Sequence, residues 1–183
     1  MPAAPARMRR CSGMDAAEVY ARTGSPLGGI ILAGRGDALT GLWFEGQKYE
    51  CATLTGDARP GELAVFGEAR RWLEEYFAGN MPERTPPLAP AGSPFQQAVL
   101  AELRGIPYGR TLTYGELARR LARGGGGARA VGGAVGHNPI SIMIPCHRVL
   151  GAGGRLTGYA GGLERKLFLL ALEGVDTEAL RRR

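Results

Sequence analysis

The chain has 183 residues, 44% of them apolar, which is enough for one large domain or two small ones and argues against a disordered chain. A net charge of +6 and a pI near 9.6 fit a polyanionic partner and equally a soluble basic surface. Cys11, Cys51 and Cys146 are too few and too odd in number for a disulfide framework. No apolar run is long enough to span a membrane and no signal-peptide core opens the chain, so a reducing cytoplasm is the expected setting.

In chain order, residues 1–14 carry Arg7, Arg9 and Arg10 without an acid and read as a flexible tail. Residues 15–84 form an N-terminal α/β domain. Gly29 to Ala33 and Ala38 to Phe44 are short apolar runs joined by Gly34-Arg35-Gly36-Asp37, a β-hairpin pattern that implies a small antiparallel sheet. From Glu62 onward, Leu63, Phe66, Arg70, Leu73 and Phe77 recur at helical spacing and predict a helix covering that sheet. Thr85 to Pro94 contain four prolines, which rule out a regular element, and 85–92 are the linker.

The C-terminal domain, 93–176, reads as mainly helical. Phe95, Val99 and Leu103 make a stripe that stops before Ile106-Pro107-Tyr108-Gly109, a turn-like break. Thr113, with Glu116 three residues on, is a capping box for a helix through about Ala122, and Gly124 to Gly127 break it. Ala128 to Gly136 form a second short helix ended by Asn138-Pro139, so the pair resembles a helix-turn-helix. Gly132, Gly133 and Gly136 on that helix have two readings. One is close helix packing, or simply a poor helix. The other is a face that must lie flat on a nucleic-acid backbone, with Arg129 placed to reach a phosphate or enter the stack. Residues 177–183 are a basic C-terminal tail.

The run Ile144-Pro145-Cys146-His147-Arg148-Val149 sets a thiol beside an imidazole, in an apolar stretch that begins with Ile140 and Ile142. A free cysteine, with a pKa of about 8.5, is only a few per cent thiolate at neutral pH, so a nearby base is an advantage. Adjacent side chains on an extended strand point to opposite faces, and a proton relay between them would need a water or a bend. The bare dipeptide favours a buried cysteine next to a satisfied histidine; the surroundings reverse that reading.

From Ser93 to Gly174 the sequence resembles the O6-alkylguanine-DNA alkyltransferase, or methylated-DNA–protein-cysteine methyltransferase, family. The matching runs are Ile106-Pro107-Tyr108-Gly109, Tyr114-Gly115-Glu116-Leu117-Ala118, Arg129-Ala130-Val131-Gly132-Gly133-Ala134, Asn138-Pro139, Pro145-Cys146-His147-Arg148-Val149 and Gly158-Tyr159-Ala160-Gly161-Gly162. Ser25-Pro26-Leu27-Gly28 and Gly41 to Gln47 extend the resemblance to the N-terminal half. It implies a ribonuclease H-like α/β N-terminal domain without nuclease chemistry and a winged-helix-like C-terminal domain. The implied activity is single-turnover repair of O6-alkylguanine, and of O4-alkylthymine, in double-stranded DNA by irreversible alkyl transfer to Cys146. The damaged nucleotide would be flipped through the minor groove.

By the same resemblance His147 is the base acting through a water, Glu173 orients the imidazole, and Tyr114 donates toward guanine N3 and crowds the flanking phosphate. Arg129 fills the vacated stack beside Ala130, Gly132 and Gly133. Asn138 holds backbone groups near Cys146. The base pocket is formed by Val149, Tyr159, Ala160 and Gly161, with the Ala160 N–H aimed at O6 and the Cys146 and Val149 carbonyls accepting from the exocyclic amine. S-alkylcysteine is a thioether without a good leaving group, so each molecule should react once. Both histidines lie in the C-terminal half, which leaves Cys11 and Cys51, too few for a tetrahedral zinc; no metal and no cofactor are expected. A monomer without an obligate protein partner, cytoplasmic and associated with the nucleoid, completes the expectation.

Three positions depart from the family pattern: Gly136-His137 where a basic residue is common, Leu100 where tryptophan is common, and Ala160, which lacks a hydroxyl. Taken singly, Glu173 reads as a solvated carboxylate, Tyr114 as a core aromatic and Arg129 as a surface charge; their joint register argues otherwise. Two other function classes compete. A non-catalytic protein that recognises alkylated DNA for another repair pathway would lack the reactive cysteine. A Cys-His-Glu hydrolase would turn over and need no DNA.

Overall fold

The computed structural model describes residues 17–121 and 127–182. The expected tail at 1–14 and most of the expected glycine turn at 124–127 lie outside the described residues.

The N-terminal half is a four-stranded sheet and one long helix. Strands β1 (Val19–Thr23), β2 (Ile30–Arg35), β3 (Ala38–Phe44) and β4 (Arg59–Pro60) lie in the order β3-β2-β1-β4. The hairpin between β2 and β3 forms where the sequence places it, with an irregularity at Ala33/Gly34. The sheet is mixed rather than purely antiparallel, because β4 returns beside β1 in the same direction. Pro60 fits only there, at the sheet edge, where its missing N–H breaks no ladder bond.

Alternation along β2 and β3 gives the sheet two apolar faces. Ile30, Leu32, Leu39, Leu42 and Phe44 pack toward Val65, Phe66, Ala69, Leu73 and Tyr76 of helix α1 (Ala64–Phe77). Ile31, Ala33 and Trp43 gather on the opposite face with Tyr20, Cys51 and Leu54.

The free edge of β3 fastens the rest of the chain. Along it, the Leu39 N–H donates to the Pro87 carbonyl at 2.9 Å and the Ala89 N–H to the Leu39 carbonyl at 2.7 Å, so the proline-rich linker is strapped to the sheet. Further along the same edge the Leu42 N–H donates to the Pro139 carbonyl and the Ser141 N–H to the Leu42 carbonyl, each at 2.8 Å. The segment leading to Cys146 is thereby docked on the N-terminal half.

The C-terminal half is mainly helical. Helix α2 (Pro94–Arg104) starts with Pro94 in its first turn and Ser93 accepting from the Gln96 N–H. Helix α3 (Tyr114–Arg120) has the full capping box between Thr113 and Glu116. Helix α4 (Ala128–Gly136) packs on α2 and α3 through Val131 and Val135. A 3-10 turn (Cys146–Arg148) and helices α5 (Leu163–Leu172) and α6 (Thr177–Arg181) follow. Short strands β5 (Leu112–Thr113) and β6 (Val149–Leu150) pair in parallel, with β6 directly following the 3-10 turn.

The expected basic tail carries α6, which is capped by Asp176 and seats Leu180 against Leu150 and Leu170. One continuous core joins both halves, running from Phe66 and Leu73 through Leu100 and Leu117 to Val149 and Leu169. No helix among the described residues is long and apolar enough to cross a membrane.

Candidate active site

Cys146 opens the 3-10 turn, which supplies the bend that an extended strand would lack. At about three residues per turn, successive side chains diverge. Cys146 therefore faces the end of α4, while His147 faces α1 and the end of α5. Asn138, just beyond α4, donates from Nδ2 to the Cys146 Sγ at 3.0 Å and to the Ile144 carbonyl at 2.8 Å, and its Oδ1 accepts from the Ile140 N–H at 3.1 Å. One amide thus fixes both the backbone of the segment and the thiol. Burial pushes the Cys146 pKa up, and the Asn138 hydrogen bond and the Lys166 charge pull it back.

His147 is fully buried, and its Nε2 lies 2.8 Å from Glu173 Oε1. An ionised carboxylate only accepts, so Nε2 carries the proton and Nδ1 is the free base of the neutral ring. Nδ1 is buried and has no hydrogen-bond partner among the described residues. Burial lowers the His147 pKa further than Glu173 can raise it, which keeps the imidazole neutral.

Glu173 is held from several sides. Arg148 donates from Nε to Oε2 and from one terminal nitrogen to Oε1, both at 2.8 Å, while its other terminal nitrogen reaches the Ile106 carbonyl at 2.6 Å. The Tyr76 hydroxyl donates to Oε1 at 2.7 Å, and the Gly109 N–H to Oε2 at 3.1 Å. Burial would raise the carboxyl pKa, yet the His147 and Arg148 hydrogen bonds and charges overcome it and bring it down to about 2. Gly109 has φ +69, and a Cβ there would sit 2.8 Å from the Glu173 carbonyl oxygen. This explains why the Ile106-Pro107-Tyr108 run ends in glycine.

A cavity of about 260 Å³ opens between the small-residue face of α4 and the loop at Gly158 to Ala160. Tyr114, Gly132, Gly133, Tyr159 and Ala160 line it. The Tyr114 hydroxyl donates to the Gly158 carbonyl at 3.4 Å, and its pKa is pushed up to about 12 by burial and by the negative charge Cys146 would carry, so the phenol keeps its proton. Side chains at Gly133 and Gly136 would meet open space. The N-terminal half also reaches this cavity: the Lys48 N–H donates to the Ala160 carbonyl at 2.9 Å, and Tyr49 stacks on His137 with ring centroids 3.9 Å apart.

The structure therefore forms two hydrogen-bonded pairs, Cys146 with Asn138 and His147 with Glu173, joined through the Cys146–His147 peptide, and sets Tyr114, Gly132, Gly133, Tyr159 and Ala160 around one cavity. Val149 and Gly161 are buried beside them. Arg129 and Ala130 stand apart, exposed on the first turn of α4. The carbonyls of Cys146 and Val149 already accept from the Val149 N–H and the Lys166 Nζ respectively, which leaves one lone pair on each. Sequence reasoning missed Tyr76, Lys166, the bidentate role of Arg148, and Lys48 with Tyr49. Lys166 carried a signal: it lies one turn before Leu170 on the buried face of α5, where an unpaired amine is untenable. Its Nζ donates to the Val149 and Thr157 carbonyls at 2.6 and 2.8 Å and pins the loop that follows the thiol.

Fold and site together define a two-domain protein built on a buried, hydrogen-bonded thiol next to a neutral histidine that is paired with an ionised glutamate. Comparison with known families makes this specific: the chain belongs to the 6-O-methylguanine DNA methyltransferase family. The family's ribonuclease-like domain matches residues 19–90, and its DNA binding domain matches residues 94–175. A methylated-DNA–protein-cysteine methyltransferase of Mycolicibacterium paratuberculosis is 48% identical over 154 residues, covering 84% of this chain and 91% of that protein. One from Methanosarcina acetivorans is 46% identical over 155 residues, covering 85% and 97%. Among solved structures, the Mycobacterium tuberculosis OGT in complex with DNA superimposes with a TM-score of 0.76 at 46% identity, over 85% of this chain and 92% of that one.

Proposed function

We propose that this protein repairs DNA by moving the methyl group of O6-methylguanine onto Sγ of its own Cys146, once per molecule. The observation that carries the reading is the Cys146 thiol held by Asn138 at 3.0 Å, next to a neutral His147 whose other nitrogen is engaged by Glu173. His147 Nδ1 takes the thiol proton through a water. The thiolate attacks the methyl carbon and the carbon–oxygen bond breaks; Tyr114 keeps its proton and hydrogen-bonds N3 of the leaving base, and guanine ends neutral by taking up one proton at N1, which balances the one His147 received from the thiol. The Ala160 N–H supports the developing charge at O6, and the Cys146 and Val149 carbonyls accept from the exocyclic amine.

For the carbon to reach Sγ the nucleotide must leave the stack. In this reading α3 and α4 act as a helix-turn-helix with α4 in the minor groove, Gly132 and Gly133 against the backbone, and Arg129 in the vacated space. The exposed first turn of α4 and the open face at Gly133 and Gly136 support it. The protein acts on double-stranded DNA as a monomer without a cofactor. The product is a thioether with nothing to remove it. An added carbon on a side chain only 5% exposed overpacks the site by about 1–3 kcal/mol, so the spent protein is less stable.

The test is the intact mass of the protein after mixing with a duplex that carries one O6-methylguanine. One added methyl per chain, absent in Cys146→Ala, supports transfer. An unchanged mass with tight duplex binding replaces this reading with that of a damage-recognition protein, and turnover without DNA replaces it with that of a hydrolase.

A further inference from the structure

Tyr76 is the last buried residue of α1, in the half of the molecule farthest in sequence from the chemistry. Its ring is 1% exposed, stacks on Trp72 at 5.2 Å and meets Phe77 and Tyr108 edge-on. Packing alone would be served as well by phenylalanine. The hydroxyl, however, donates to Glu173 Oε1 at 2.7 Å and lies 3.4 Å from His147 Nε2. Glu173 Oε1 thus receives Tyr76, His147 and one Arg148 nitrogen.

We propose that Tyr76 is a positioning residue for methyl transfer: by sharing Glu173 Oε1 with His147, it fixes the imidazole and tempers its basicity from the N-terminal half. The inference rests on the reading of His147 as the base. A carboxylate that already accepts from a phenol has less electron density for the Nε2 proton and stabilises an imidazolium less. With the phenol in place, the ring stays neutral and Nδ1 stays available. Without it, Glu173 pulls harder on His147, and the ring protonates at higher pH. The other groups around the imidazole are Arg148 and Cys146 on its own turn, Lys166 on α5, and Tyr108, which lies under Arg148. The two cations oppose protonation of the ring, and both keep their charge with or without the Tyr76 hydroxyl.

The test is Tyr76→Phe in the full chain, which keeps the ring and removes the donor, beside Tyr108→Phe. The Tyr108 hydroxyl bonds the Leu172 and Gly79 carbonyls and not Glu173, so it serves as the control. Single-turnover transfer from an O6-methylguanine duplex is followed from pH 5 to 9, together with duplex affinity and the imidazole N–H resonance of His147.

Tyr76→Phe should slow transfer by roughly ten- to a hundredfold. It should move the acid limb of the profile up by about half to one pH unit, shift the His147 resonance, and leave affinity and final methylation intact. Tyr108→Phe should leave the limb in place. A Tyr76→Phe protein with the wild-type rate and limb, or one slowed uniformly with limb and resonance unmoved, overturns the proposal in favour of packing alone. A wild-type chain that takes up no methyl overturns the transfer reading itself, a result separable from either.

Discussion

Replacing Glu173 by glutamine tests the buried network most quantitatively, because glutamine is a stand-in for the protonated acid. The Glu173 carboxyl titrates near 2 in the folded protein instead of its ordinary 4.5. At about 1.36 kcal/mol per pH unit, that difference amounts to about 3 kcal/mol of folding stability at neutral pH. The magnitude agrees with the roughly 3–5 kcal/mol expected when one partner of a buried ion pair is removed and a cation such as Arg148 is left unpaired. The folded pKa is the depressed one, so this stability is fully present above pH 4.5 and is lost as the pH falls toward 2. Roughly two-thirds of it should be gone by pH 3. Urea unfolding of wild type and Glu173→Gln at pH 7, 5, 4 and 3 should show a gap of about 3 kcal/mol at pH 7 and 5 that narrows to about 1 at pH 3. A gap below about 1 kcal/mol at pH 7, or one that does not change with pH, would refute the view that an ionised Glu173 anchors the site.

Three further outcomes follow from the same geometry. Asn138→Ala removes the donor to Sγ, takes one of two donors from the Ile144 carbonyl and leaves the Ile140 N–H without its side-chain acceptor; it should cost about 1–3 kcal/mol and slow transfer at least tenfold, measured by urea unfolding and single-turnover kinetics. Gly109→Ala places a Cβ 2.8 Å from the Glu173 carbonyl in a left-handed conformation and should cost about 1–3 kcal/mol in the same unfolding assay, whereas Gly133→Ala, which meets open space, should keep the fold and weaken only duplex binding. Because burial holds the His147 pKa below 6.5, the base form persists on acidification, and the wild-type transfer rate should lose its His147 component only below pH 6.5; a limb centred above pH 7 would contradict a desolvated, neutral imidazole.

Much of the local architecture is legible in the residues, because it is set by short-range rules. The β2–β3 hairpin follows from two apolar runs around Gly34-Arg35-Gly36-Asp37, and α3 from the Thr113–Glu116 box. The parallel partner of β1 is not legible, since β4 is two residues long and one of them is proline. Nor is the linker's pairing with Leu39, because prolines announce only the lack of a helix or a central strand while their carbonyls still accept.

At the site, Cys146, His147 and Asn138 lie within nine residues of one another and can be read as a unit. Glu173 becomes readable only through the family resemblance. Tyr76 is hidden for a physical reason: on the apolar stripe of α1 it reads as core, and its phenol matters only because the fold brings a carboxylate from 97 residues away to meet it. Arg148 looks like a basic residue adjoining the active dipeptide, and its bidentate grip on Glu173 exists only in three dimensions.

The claim that Cys146 itself is the final acceptor is tested most directly at the level of one peptide. After reaction with excess O6-methylguanine duplex, trypsin should release the segment 130–148, which contains Cys146 together with Met143, His137 and His147. Fragment-ion masses should place a single methyl on Cys146 in every reacted chain, with no second methyl at any excess of DNA. A methyl on His147 or Met143, or an unmodified peptide alongside repaired guanine, would contradict the account.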